Sequence, residues 1–153
     1  MTDFFFDSSA LVKRYIKEVG SAWVAATVDL ATGNRIFIAE FAAVEITAAI
    51  ARRTRVGYSP AVVNTLFANL QHDLDDEYFD LEVTSATLQE AQALARKHFL
   101  RGYDAVQIAV AIRFNREQLA AGLPAVTLVA GDTELLAAAL AEDLAIDNPN
   151  DHS

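Results

Sequence analysis

Phe4–Tyr15 reads FFFDSSALVKRY, and the reading of this stretch decides the fold. Three aromatic residues in a row form a short buried strand. The strand ends on a carboxylate, Asp7. The residues after it, SSALVKRYIKE, read as a helix, with Ser8 or Ser9 available to cap it. A strand this apolar has no structural need for a charge at its tip. Asp7 therefore raises the question of which other carboxylates in the chain sit in a similar setting.

Working outward, strands alternate with helices to the end of the chain. SAWVAATVDLA reads as a helix closed near Gly33, and IFI (36–38) as a second strand. AEFAAVEITAAIARRTR is an alanine-rich helix whose basic end suits the negative end of its dipole. Ser59-Pro60 is a cap followed by proline at the first helical position. DLEV (80–83) reads as a strand, and Thr84 or Ser85 caps the helix ATLQEAQALARKHFL. YDAVQIAVAIRFNREQLA is a further helix, AVTLVAG (125–131) the clearest strand, DTELLAAALAED a helix and LAID (144–147) a last strand. This alternation predicts an α/β fold with a small, mainly parallel central sheet. One domain is expected over residues 1–148, with 149–153 as a short frayed tail.

Composition sets the outer limits. The chain has 153 residues, 53% of them hydrophobic and 22% charged, ample for a core and unlike a disordered chain. It has no cysteine, which excludes disulfides and thiolate metal sites and fits a cytoplasmic protein. No apolar run approaches the ~18 residues of a membrane span. MTDFFFDSS lacks the basic start of a signal peptide. The net charge of −9 argues against nonspecific nucleic-acid binding. The charge is uneven, however: all twelve Lys and Arg lie between Lys13 and Arg116, in clumps such as Lys13, Arg14 and Lys17.

Four carboxylates stand out. In an open α/β sheet, ligands bind beyond the carboxyl ends of the strands, where strand order reverses. Asp7 follows FFF, and Asp132 follows VTLV after a small Ala-Gly turn. Glu45 interrupts FAAVEITAAI in what reads as mid-helix, and Asp104 interrupts GYDAVQIAVAI in a first helical turn. A charge on a buried helix face is costly unless paired. Carboxylates brought together repel, by about 4 kcal/mol per pair at ~4 Å and an effective dielectric of ~20. A divalent cation removes that penalty, and an oxygen-rich, sulfur-free site suits Mg²⁺ or Mn²⁺. Such ions activate water and clamp phosphate oxygens in phosphodiester hydrolysis.

With these motifs in hand, the chain resembles the PIN-domain ribonucleases, and most of all the VapC toxins of type II toxin–antitoxin systems. The resemblance rests on FFFDSSALVKRY, AAVEITAAIARR, LRGYDAVQIAVA and LVAGDTELLAAA, in that order, from residue 4 to about 147. It implies a three-layer α/β/α fold. It also implies that Asp7, Glu45, Asp104 and Asp132 converge on Mg²⁺ or Mn²⁺, with Ser9 in support. The expected activity is metal-dependent endoribonuclease cleavage leaving 5′-phosphate and 3′-hydroxyl ends. The expected partners are an RNA substrate, a VapB-like antitoxin and a second copy of the chain in a homodimer. Ala130 departs from the pattern, which often has Ser or Thr at that place.

Plainer readings stand beside these. Asp7, Asp104 and Asp132 each suit a helix cap, and Ser9 a turn hydroxyl. Lys13, Arg14 and Lys17 are the candidates for RNA phosphate contacts, although such clumps are usually solvated faces. Trp23 and Tyr15 are candidates for a partner contact. His72, His98 and His152 follow no ligand spacing. A receiver-like phosphoacceptor would need a late lysine, and none follows Lys97; a haloacid-dehalogenase-type phosphatase would need an aspartate where Ser9 stands. The non-enzymatic alternative is a PIN-like RNA- or protein-binding scaffold with a lapsed site, which would not bind Mn²⁺ through Asp7 and Asp104.

Overall fold

Five short parallel strands lie in the order β3-β2-β1-β4-β5. They are β1 (Asp3–Phe6), β2 (Arg35–Ala39), β3 (Tyr78–Leu81), β4 (Thr127–Val129) and β5 (Ala145–Asp147). The structure, a computed structural model, describes residues 1–152. The helices are α1 (Ser8–Leu11), α2 (Ser21–Val28), α3 (Ala42–Arg53), α4 (Pro60–Asp76), α5 (Ser85–His98), α6 (Gly102–Ala120) and α7 (Thr133–Ala141). The chain winds outward from β1 through β2 to β3, then crosses to β4 on the other side of β1. That reversal places the crevice between the ends of β1 and β4.

The opening aromatic run divides the core. Side chains alternate along a strand, so Phe5 joins Phe37 and Leu128 on one face, under α5, α6 and α7. Phe6 joins Ile36, Ile38 and Val129 on the other, under α1 to α4. Phe5 and Phe6 are fully buried, worth ~2 kcal/mol each by transfer. The result is the expected three-layer α/β/α arrangement, with β1 in the middle.

Local differences from the sequence reading have physical causes. The first helix is shorter than expected: after Leu11 the chain tightens into a 3₁₀ turn, Val12–Arg14. There Lys13 turns to Glu18 and Arg14 to Glu77, while Val12 and Ile16 stay in the core. Its cap is Asp7, and neither serine. The third strand starts at Tyr78, two residues before DLEV, because buried Tyr78 hides behind the acidic run. Glu45 lies in the first turn of α3 rather than mid-helix, since the helix begins only at Ala42.

The segment expected to fray packs onto the domain through His152. Pro149–Asp151 forms a 3₁₀ turn, Pro149 is buried, and the His152 ring stacks on Trp23 with centroids 4.4 Å apart. Gly20, at φ 86°, lies under this turn; a Cβ there would stand 2.5 Å from the Pro149 carbonyl oxygen. Ser153 lies outside the described residues.

Candidate metal centre

Asp7 leaves β1 and is fixed twice. Its N–H donates to the Val129 carbonyl at 2.9 Å, tying β1 to β4, and its side chain caps α1. Oδ2 accepts from the Ser9 N–H at 3.3 Å and from the Ser9 hydroxyl. The carboxylate is 6% exposed. Burial pushes its pKa up to about 6; Ser9 opposes the shift, and the charges of Glu45 and Asp104 add to it.

Glu45 reaches the same place from the first turn of α3. Its Oε1 accepts from the Ser8 hydroxyl at 2.7 Å and from the Gln107 amide at 3.0 Å. Asp104 stands in the first turn of α6, half-buried. Burial raises its pKa, Asp132 and Glu45 raise it further, and Arg101 pulls the other way. Asp132 caps α7: its Oδ1 accepts from the N–H groups of Glu134 at 2.9 Å and Leu135 at 3.2 Å. The cap reading is thus correct for Asp7 and Asp132, and it leaves room for chemistry.

Asp7, Glu45 and Asp132 share one pattern. One oxygen is held by protein donors; among the described residues the other receives none. The donors orient each carboxylate and leave an oxygen to spare. Nor does any of the four carboxylates take part in an ion pair among the described residues. The first turns of α3, α6 and α7 add the positive ends of their dipoles. Unpaired acids whose charges raise the pKa of Asp7 and Asp104, on an oxygen-only donor set, fit a hard divalent cation. Asp7, Glu45, Asp104 and Asp132 are the residues that would hold it.

A second acidic group competes on geometry alone. Ligand atoms of His72, Asp73 and Glu77 all lie within 4.8 Å of one another. Its acids are already neutralised: Arg14 stands 3.2 Å from Asp73 and 2.8 Å from Glu77, and the Tyr15 hydroxyl donates to Asp73 at 2.7 Å. That group is a structural clasp between α4 and the turn after α1.

The same clasp accounts for Arg14, one of three basic residues expected at RNA phosphates. Lys13 is also committed, being buried and bonded to Glu18 and the Val19 carbonyl. Lys17 is exposed. Of the candidate partner contacts, Tyr15 points into the clasp and Trp23 is partly covered by His152.

Three residues near the site went unmarked in the sequence. Ser8 read only as a cap, yet it bonds Glu45. Gln107 interrupts the apolar run AVQIAVA three residues after Asp104, a signal that was there to be read. Glu134, exposed in the first turn of α7, raises the Asp104 pKa.

The PIN-domain family model matches residues 4–139. Ribonuclease VapC45 of Mycobacterium tuberculosis is 32% identical over 137 residues, covering 86% of this chain and 85% of its own length. Two solved structures share the fold at low identity. VapBC2 from Rickettsia felis, bound to a DNA fragment from its promoter, superposes with a TM-score of 0.63 at 12% identity, covering 96% of this chain and 98% of its own. FitAcB from Neisseria gonorrhoeae gives 0.61 at 15%, covering 95% and 97%.

Proposed function

The chain belongs to the PIN-domain family, and from that premise we propose that it is a Mg²⁺- or Mn²⁺-dependent endoribonuclease, the toxin of a type II toxin–antitoxin pair. The observation that carries this reading is the set of four carboxylates at the carboxyl edge of the sheet, without an ion pair among the described residues and with spare oxygens on Asp7, Glu45 and Asp132. A scaffold with a lapsed site would have no reason to keep that much unbalanced charge together.

The divalent ion, when bound, supplies the positive charge that activates water and stabilises the phosphate oxygens. The chain's own residues do the rest. Asp7 and Asp132 present rigid oxygens from a strand end and a helix cap. Ser9 holds Asp7 in place. Glu45, with Oε1 tied down, offers Oε2 as the base that takes a proton from the attacking water. Water oxygen joins phosphorus, the bond to the 3′ oxygen breaks, and that oxygen takes a proton from solvent to leave as the 3′-hydroxyl, while Glu45 later returns its proton to solvent. The 5′ side keeps the phosphate. Of Lys13, Arg14 and Lys17, it is exposed Lys17 that is left to meet the RNA backbone.

The likeness to VapC45 supports RNA as substrate, and the likeness to VapBC2 supports a VapB-like antitoxin as partner. A homodimer and a cytoplasmic setting complete the proposal. Among the described residues no helix is long and apolar enough to cross a membrane. The test is cleavage of total RNA by purified, antitoxin-free protein with Mn²⁺, with EDTA, and with Asp104→Asn. Discrete fragments that require Mn²⁺ and vanish in the variant are expected. Equal cleavage by the variant would overturn the reading.

A further inference from the structure

Gln107 is a polar group within the apolar run of α6. It lies on α6 among Ala105, Ile108, Ala109, Val110 and Ala111, all buried, and is itself 1% exposed. Its Nε2 is 3.0 Å from Glu45 Oε1 and 3.3 Å from Ser8 Oγ. Ser8 Oγ is 2.7 Å from the same Glu45 oxygen. Gln107 Oε1 is buried, with no hydrogen-bond partner among the described residues. An unmet buried acceptor costs about 1–3 kcal/mol, so packing alone does not explain the residue.

We propose that Gln107 is a positioning residue which, with Ser8, holds Glu45 Oε1 so that Oε2 faces the divalent ion and the attacking water. The inference rests on the metal-dependent reading above. Three features carry it. The bond joins α6 to α3, the two helices that deliver Asp104 and Glu45, so one amide sets their spacing at the site. Gln107 lies three residues after Asp104, on the same side of α6. Finally, Glu45 has no capping role to hold it, unlike Asp7 and Asp132, so its orientation depends on these two donors. Partners that orient a ligand from behind typically change metal affinity by about 10–100-fold.

The test is Mn²⁺ binding, followed by the electron paramagnetic resonance signal of free Mn²⁺, on the full chain without RNA. Gln107→Met keeps the side chain's length and removes its amide. We expect Gln107→Met to weaken Mn²⁺ binding about tenfold in the wild-type background and to change nothing in a Glu45→Ala background. Thermal unfolding of each variant shows that the protein measured is folded. An equal loss in both backgrounds would mean a general structural role and overturn the proposal, as would unchanged binding by Gln107→Met. Ser8→Ala is a second arm with the same logic, should Gln107→Met fail to fold. Wild-type protein that binds Mn²⁺ no better than Asp7→Asn would instead bring down the metal-dependent reading and this inference with it.

Discussion

The carboxylate site has a buried half and an open half, and they are built differently. Asp7 and Glu45 sit low, against Ser8, Ser9 and Gln107, with side-chain donors from α1 and α6 meeting Glu45 of α3. Asp132 and Asp104 sit high. Asp132 is exposed and held only by the backbone of its own helix, and no hydrogen bond holds the Asp104 carboxylate among the described residues. The difference teaches a division of labour. The buried half, anchored by Asp7, carries the precision; the open half adds charge where substrate and solvent arrive, and burial with neighbouring charge raises the pKa of Asp7 in the one and of Asp104 in the other. Desolvated charge interacts strongly, whereas exposed charge is screened.

The largest effect should come from the buried half. Asp7→Asn should lower Mn²⁺-dependent RNA cleavage about a thousandfold, the equivalent of ~4 kcal/mol of charge stabilisation. A loss of tenfold or less, measured as initial cleavage rate, would break the comparison.

The same variant should do the opposite to stability. In the folded protein the Asp7 pKa is about 6, above its ordinary 3.8. The folded state therefore binds a proton more readily than the unfolded state in that window. Metal-free protein should gain stability as pH falls from about 6 towards 4 and carry the full penalty at pH 7, on the order of 3 kcal/mol. Asp7→Asn should raise the pH 7 melting temperature of metal-free protein and flatten this pH dependence. Urea unfolding at several pH values, in EDTA, reads both.

Removing a committed charge should behave unlike removing an uncommitted one. Arg14→Ala leaves buried Asp73 without its cation and should cost about 2 kcal/mol of stability. Mn²⁺ affinity should not change. A change in affinity with stability intact would return Arg14 to the site.

The smallest effects belong to Asp132, the exposed member of the open half. Asp132→Asn keeps a capping side chain and removes a charge, so Mn²⁺ binding should weaken about tenfold with little change in stability. Asp132→Ala should add a loss of about 1 kcal/mol from the missing cap. Calorimetry of both variants separates ligand from cap.

The charged members of the site were legible because each interrupts an apolar stretch. The sheet was legible because FFF and VTLV are too apolar and too short for anything but buried strands. The start of β3 was hidden, since Tyr78 lies inside an acidic run and Phe79 and Asp80 face solvent. Gln107 passed unnoticed because an amide in a helical apolar run carries no charge to betray it. The commitment of Lys13 and Arg14 depends on partners as distant as Glu77, which local pattern does not report. The ordered C-terminal turn likewise depends on Trp23 and Gly20, far back in the chain.

The most direct measurement is the position of Mn²⁺ in crystals, located by anomalous diffraction. Density among Asp7, Glu45, Asp104 and Asp132 is expected. Density at His72, Asp73 and Glu77 alone, with the Asp7 site empty, would contradict it.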